Sequence, residues 1–538
     1  MRLILSTYLM FISLLFLYCP LRHTIKTQVS RFNKYMTDDK STELHYRQII
    51  KYTGLFGGIQ TMNILVGLVR NKLTALLLGP LGMGLVALYQ SSVKLVSDST
   101  GLGLGMSGVR EISDAYSAGD DGEVERLVKV IRSWSVVAAL VGTLLCALLC
   151  KVFDSLAYSW GSHTLHFLLL SPMVGMMAIT SGETAVLKAT RRMKALAISS
   201  FYSVLSALVV SVPLYWFYGF RAVVPSLVLV CLAQMLAVLV PSYRAYPLRL
   251  SFKRDVLRQG VGTVRVGMAF VLAGFMCSGA EYAVRSYLNY VGSEAVVGLY
   301  NAAYMLVVTY AGMVFSAMET DYFPRLSAAC LTNGRNMNDV VNRQAEVTVL
   351  LISPLTVCFV FMAPVMLPLL FSGKFMPVLP MIQVAAVSMF FRGLYLPVEY
   401  ISLAKGHSRS FCFLEGINSL MMLVFVVVGY NIHSLLGAGV GLTLAAAVEV
   451  CVSFSYMRFK YNYRCSSSLV KNIALQLPLV LASLVLPFVD GSLYRSLGLF
   501  LIISSSAMSL NVLDRKTSFI DDIKRKLKKM NKRRRGDE

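Results

Sequence analysis

From residue 48 onward the chain is a succession of apolar runs. Each is close to the roughly 20 residues that a helix needs to cross a bilayer. They are centred near residues 58, 93, 141, 175, 205, 231, 272, 307, 357, 389, 421, 446, 479 and 502. The runs are too long for barrel strands and show no period-2 alternation. The expected fold is therefore an all-α polytopic membrane protein with about fourteen transmembrane helices. Composition agrees: 56% of the 538 residues are hydrophobic and 15% charged, with a mean hydropathy of +0.63. A soluble domain carries about 25% charged residues. A soluble enzyme and a disordered chain are both excluded.

Lys and Arg number 51 and Asp and Glu 28, a net charge of +23. In a soluble protein that excess would suggest nucleic acid. Here it follows the loops. Alternate connections between the apolar runs hold about 22 cations against 7, the asymmetry of a cytoplasmic face. The segment before the first run and the C-terminus are both expected inside, and no nucleic acid is expected. Residues 1–18 form a further apolar stretch. A signal peptide there would put Arg22–Lys51 outside and invert the charge pattern, whereas a short outside-to-inside anchor or a start at Met36 fits it. The tail beyond residue 514 is basic. Phe519, Ile520, Ile523, Leu527 and Met530 recur at helical spacing, as in a helix on an anionic lipid surface or a solvated charge run. The ten Cys are scattered, with no metal or disulfide spacing.

The two halves resemble each other at an offset near 215. Arg70 matches Arg285, Gly84-Leu85 matches Gly298-Leu299, Arg110 matches Arg325, and Glu183 matches Glu399. Near-constant spacing over several weak matches marks a repeat. Its unit holds six helices, an even number, so both copies enter the membrane from the same side. Two six-helix bundles related by a pseudo-twofold axis along the membrane normal follow. The expected organisation is a leader at 1–46, an N-terminal bundle at 47–245 and a basic cytoplasmic linker at 246–260. A C-terminal bundle at 261–460, two extra transmembrane helices at 461–513 and a basic cytoplasmic tail at 514–538 complete it.

The stretch YTGLFGGIQTMNILVGLVRNKLTALLLGPLGMGLVALYQ resembles the first two helices of Wzx-type O-antigen and lipid-linked oligosaccharide flippases. These form the polysaccharide-transport branch of the MOP superfamily. Leu370–Phe375 and Tyr400–Glu415 look like segments of the same family, and the resemblance covers roughly residues 45–460. It implies alternating-access movement of an undecaprenyl-diphosphate-linked oligosaccharide, an O-antigen or capsular repeat unit. The direction is from the inner to the outer leaflet of a bacterial cytoplasmic membrane. It implies a transporter rather than an enzyme, working in lipopolysaccharide or polysaccharide biosynthesis beside a polymerase and assembly proteins. Its partners are the lipid-linked oligosaccharide and membrane lipids. No cofactor is expected; coupling to H+, Na+ or the membrane potential is left open.

Ionised groups near a membrane centre are costly and tend to face a cavity or a partner. A diphosphate suits Arg, whose fork of donors matches phosphate oxygens and stays charged. Arg265, Arg392, Arg70, Arg285 and Lys94 are the candidates for the substrate diphosphate and the cavity wall. Snorkelling to the outer interface is the plainer reading for Arg70 and Arg285, and Arg265 and Arg392 are expected to lie deeper. Asp98 pairs with Lys94 across one helical turn or lines the cavity. Glu183 and Glu399 hold a coupling cation, or pair with Lys188 and Lys405. Gly103, Gly105 and Gly108 spell G-x-G-x-x-G without the strand that a dinucleotide fold needs, so close helix contact explains them better. His163 and His166 are read as solvated, and no metal site is expected. Two other functions remain: a cation-coupled exporter of the MATE type, and a membrane polymerase or glycosyltransferase. The short outer connections argue against the latter.

Overall fold

The structure is a computed structural model, and it describes residues 40–157, 163–331, 334–489 and 491–517. Among these residues every regular element is helical. The leader before residue 40, with the alternative start at Met36, and the amphipathic tail beyond residue 517 lie outside the described residues.

The first helix, α1 (Lys40–Thr100), runs for 61 residues. A straight helix of that length would measure about 90 Å, three times the hydrocarbon thickness of a bilayer. It breaks at Gly79, whose φ of 63° only a residue without a side chain adopts cheaply, and Pro80 follows. The chain continues through α2 (Leu104–Ala118), α3 (Asp121–Leu148), short α4 (Cys150–Ala157), α5 (Thr164–Ala189), α6 (Met193–Tyr218) and α7 (Val223–Ala245). The second half starts with α8 (Arg254–Val291) and α9 (Glu294–Tyr304). A π-turn over Met305–Thr309 leads into α10 (Tyr310–Leu331). Then come α11 (Gly334–Leu370), α12 (Leu379–Ala385), α13 (Ser388–Ala404) and α14 (Ser408–Tyr461). Two further helices, α15 (Ser467–Ala482) and α16 (Gly491–Thr517), pack on α11.

Nine described helices are long and apolar enough to cross a membrane, or ten if the bent pair Gly373–Ala385 and Ser388–Ala404 counts as one span. Fourteen was the expectation. Length and composition give fewer because three of the nine contain two helices each. The span Met62–Thr100 breaks at Gly79, Met193–Ala245 joins α6 to α7, and Ser408–Tyr461 breaks at His433 and Ser434. In α14 the reversal is visible in contacts. A Cβ on Gly429 would lie 2.1 Å from the Gly437 carbonyl, and one on Gly441 would lie 2.2 Å from that of Phe425. Only an antiparallel hairpin brings those pairs together.

The turns sort to two ends. At one end Gly82 meets Phe220, Gly79 lies near Lys374, and Gly292 meets Tyr430. At the other, Arg126 Nε donates to Gln259 at 3.1 Å and Arg249 pairs with Glu125 at 2.7 Å. The second end carries the basic connections and is called the inner end here.

The two halves touch at the outer end through matching positions. A Cβ on Gly84 would lie 1.8 Å from the Glu294 carbonyl oxygen. One on Gly298 would lie 1.8 Å from that of Pro80. Pro80 and Glu294 are 214 residues apart, as are Gly84 and Gly298, so the contact is its own image under the repeat. This is the isologous geometry of a twofold interface. It packs the two halves backbone against backbone at that end. The glycines of G-x-G-x-x-G also serve close packing. Gly103 abuts the backbone of Gly267 in α8, Gly105 faces Ser181 and Gly108 faces Ile131.

Candidate functional site

The charged centre lies where α1, α8 and α13 meet α9, the π-turn and α10. Lys94, on the second limb of α1, places Nζ 3.3 Å from Glu281 of α8. Arg285, one turn further along α8, donates from Nη1 to the Glu281 carboxylate at 3.3 Å and to the Glu281 carbonyl at 3.0 Å. Its Nη2 lies 3.4 Å from Asn301 Oδ1, and its guanidinium sits 5.1 Å above the Tyr304 ring. The Tyr304 hydroxyl donates to Glu281 at 3.3 Å. Glu281 therefore holds two cations and a phenol, and Lys94 pairs across the two halves rather than with Asp98 on its own helix. Asp98 faces the close approach of Gly274.

The π-turn follows directly. Such a turn inserts one residue into a helix and leaves its carbonyls poorly used; π-turns recur at functional sites. Arg392 of α13 exploits this one: its Nη1 donates to the Val308 carbonyl at 3.3 Å, and its guanidinium lies 5.7 Å over Phe315. Arg70 of α1 lies near Tyr215 and Tyr310. Its neighbour Asn71 donates to the Tyr310 hydroxyl at 2.8 Å. Three arginines from three helices thus converge on one broken helix. The buried Nε of Arg70, of Arg285 and of Arg392 each has no hydrogen-bond partner.

Other expected positions differ. Arg285 is buried, which corrects the snorkelling reading. Arg265 was expected deep, but its side chain is exposed on α8, near the inner end where Thr263 donates to Glu111. Counting Arg70, Lys94, Arg285 and Arg392 against Asp98, Glu281 and Glu415, the described centre carries a single positive charge in excess. That is less than the cations alone imply.

Glu183 pairs with Arg132 rather than Lys188. The ion pair is bidentate, Nε to Oε1 at 2.9 Å and Nη2 to Oε2 at 3.1 Å, with both side chains nearly inaccessible. Ser242 donates to the same carboxylate at 2.5 Å, and Arg132 Nη1 donates to the carbonyls of Tyr246 and Pro247. This network ties α3, α5 and the end of α7 together. Lys188 instead lines a cavity of about 340 Å³ with Thr180, Ser181, Thr184 and Gln234.

Glu399 does not pair with Lys405, whose Nζ lies 5.1 Å over the Tyr461 ring. It meets Glu449 and Ser453 of α14. His163 and His166 are not simply solvated. Their Nδ1 atoms are 3.3 Å apart, and the Tyr89 hydroxyl lies 3.0 and 3.1 Å from them.

Sequence reasoning missed the pairing of Arg132 with Glu183 and the anchoring role of Glu281. A signal for Glu281 existed in its i, i+4 spacing to Arg285. The π-turn left no trace in the apolar pattern.

The described architecture is two six-helix halves around a charged centre, a fold found in membrane transporters of known structure. Solved structures share it. A multidrug resistance MATE family transporter in its inward-facing conformation aligns with a TM-score of 0.61 at 17% identity, over 77% of this chain and 96% of its own. The lipid II flippase MurJ in an inward closed conformation aligns with a TM-score of 0.62 at 14% identity, over 86% and 99%. A MOP superfamily transporter from Pyrococcus furiosus aligns at 0.52 and 16% identity, over 76% and 93%. These identities show the fold alone. No curated protein matches the chain. Residues 49–330, just over half of the chain, match the polysaccharide biosynthesis protein family, and the chain belongs to that family.

Proposed function

We propose that this protein flips a diphosphate-linked oligosaccharide lipid from the inner to the outer leaflet of a bacterial cytoplasmic membrane. The observation that carries the reading is the set of unmet guanidinium donors on Arg70, Arg285 and Arg392. A buried donor without a partner costs about 1–3 kcal/mol. Phosphate oxygens would meet such donors with charge-assisted hydrogen bonds. The three arginines surround the π-turn, and the contact at Gly84 and Gly298 joins the halves at the outer end. A headgroup would therefore enter from the basic side and leave when that contact opens. A diphosphate carrying two charges outward across 100 mV gains roughly 4.6 kcal/mol, so the potential favours this direction. A polymerase and assembly proteins on the outer side would take the product.

The test is complementation of a deletion strain with Arg285→Ala, Arg392→Ala and their Lys counterparts. Loss of one charged hydrogen-bond partner, about 1.5–3 kcal/mol, corresponds to a tenfold to hundredfold loss of transport at limiting cargo. Lipid-linked repeat units should accumulate in the inner leaflet. Lys should rescue partly, because it restores the charge and not the fork. Normal surface polysaccharide from the Arg285→Ala, Arg392→Ala double variant would refute the reading. So would export of cationic dyes by the native chain without any trapped glycolipid in its absence; that outcome selects the exporter.

A further inference from the structure

Glu399 of α13 and Glu449 of α14 are buried side by side inside the C-terminal half, 7% and 0% exposed. The Ser453 hydroxyl lies 2.6 Å from Glu399 Oε1 and 3.1 Å from Glu449 Oε1. A hydroxyl has one proton and can donate to only one of them. The other contact is a hydrogen bond only if that carboxyl brings a proton of its own. Two ionised carboxylates in a low-dielectric interior also repel strongly.

Two further observations point the same way. Glu449 Oε2 is fully buried with no hydrogen-bond partner, an acceptor left waiting for a donor. The duplicated half shows the alternative solution: Glu183, the match of Glu399, is neutralised by Arg132. The positions 215 and 216 residues after Arg132 hold Val347 and Thr348, neither of them cationic.

The charged and titratable groups around the pair are few among the described residues. Glu415 on the first limb of α14 interacts with both Glu449 and Arg392. Tyr395 lies among Arg392, Glu399, Glu415 and Glu449. From α8, Cys277 lies near Glu415. Helices α10 and α11 meet the opposite face of α13 through Phe315, Tyr322, Gln344 and Thr348. There the Tyr322 hydroxyl is engaged by the Pro397 carbonyl. On the same α11, Glu346 accepts from Ser466. No set of three His, Cys, Asp or Glu side chains among the described residues could hold a metal ion.

The geometry points to a proton-binding site. Glu399 and Glu449 share one proton, and Glu415 links this pair to Arg392 at the charged centre. Occupation of Arg392 by an anion and protonation of the pair are then coupled through Glu415. That coupling rests on the function proposed above, whereas the proton site does not.

The experiment uses the full chain in lipid vesicles and the apolar carbodiimide dicyclohexylcarbodiimide, which adds to protonated carboxyls in apolar surroundings. Modified peptides are mapped by mass spectrometry. At neutral pH, labelling at Glu399 or Glu449 should exceed that at Glu183 by about tenfold or more, because both Glu183 oxygens are held by the Arg132 guanidinium. It should fall as pH rises through the titration of the pair, by about tenfold per unit beyond its midpoint. In Glu399→Gln or Glu449→Gln the remaining carboxyl becomes an ionised acceptor for the new amide, and its labelling should be lost. The native pH profile alone decides the matter if either variant fails to fold. Recovery of both peptides unlabelled, or Glu183 labelled equally, would overturn the proposal. Protection by sodium ions at fixed pH would also overturn it, by assigning the site to a metal cation. None of these outcomes depends on what the protein carries.

Discussion

Replacing Arg132 by Met should cost more stability than any surface charge in this protein. Its guanidinium is 2% exposed and the Glu183 side chain 3%. All three of its nitrogens are engaged, by both carboxylate oxygens and by the carbonyls of Tyr246 and Pro247. Removing one partner of a buried pair strands the other charge, which costs about 3–5 kcal/mol. Ser242 alone remains to Glu183, and one hydroxyl does not compensate a buried carboxylate. The fall in the folded-to-unfolded ratio is therefore about two to three and a half orders of magnitude, at about 1.4 kcal/mol per tenfold. Arg249→Ala is the control. Its pair with Glu125 is 66% and 53% exposed and should contribute less than about 1 kcal/mol. The double replacement Arg132→Met, Glu183→Met removes both charges and should recover most of the loss. The assay heats the purified full chain in detergent and follows the fraction surviving gel filtration. Arg132→Met melting with Arg249→Ala would refute the structural reading. So would a well-folded Glu183→Gln that alters only the pH dependence of transport, since Glu183 would then be a coupling site.

At the outer-end contact, Gly84→Ala and Gly298→Ala should act alike, because each adds a Cβ 1.8 Å from a carbonyl oxygen of the other half. Both should raise maleimide labelling of a cysteine placed at Ser293, and unequal effects would contradict the twofold contact. In α4, burial raises the Asp154 carboxyl, but hydrogen bonds from the Thr164 hydroxyl and the His163 amide at the start of α5 outweigh it and hold it below its ordinary value. Burial, and then the neighbouring His166, lower His163, against the opposing pull of Asp154. Both groups bind protons less readily folded than unfolded, so each favours the fold above its unfolded value. That contribution is lost as pH falls through the lower folded value. Thermal melts of the native chain should lose stability on acidification through both ranges, and Asp154→Asn should lack the more acidic step. An unchanged profile in the variant would remove Asp154 from the account.

The membrane class, the helical fold and the duplication were legible because apolar run length and repeat spacing are one-dimensional properties. Gly84 and Gly298 matched in the sequence one residue out of step with the other pairs, and the structure places them against each other. Pairing was less legible. Lys188 is five residues from Glu183 and looked like its partner, yet Arg132 reaches it from another helix because α3 and α5 pack side by side. Arg132 gave no sign of its role because α3 begins at Asp121, in charged sequence ahead of the apolar run. Glu281 stood one turn from Arg285, but its bond to Lys94 depends on how the two halves meet. The π-turn at Met305–Thr309 is a backbone event within an unbroken apolar run, and periodicity does not register a single inserted residue.

The repeat has diverged unevenly, and the unevenness carries mechanism. At the outer end the halves still match, so parting them there separates two equivalent contacts at once. That suits a two-state rocking motion, since packed backbones offer no half-open arrangement. Inside, the matching glutamates have taken opposite courses. Glu183 is fixed by Arg132 to the chain that leaves α7, which stiffens the N-terminal half at the point where the basic linker begins. Glu399 has met a second carboxyl instead, so the C-terminal half keeps a group whose charge can change. A transporter with one rigid half and one titratable half needs only the latter to sense an ion. The charged centre lies between them, with Arg70 from the rigid half and Arg285 and Arg392 from the titratable half. An anion there would feel both, and of its three arginines Arg392, which Glu415 links to the carboxyl pair, would answer to pH.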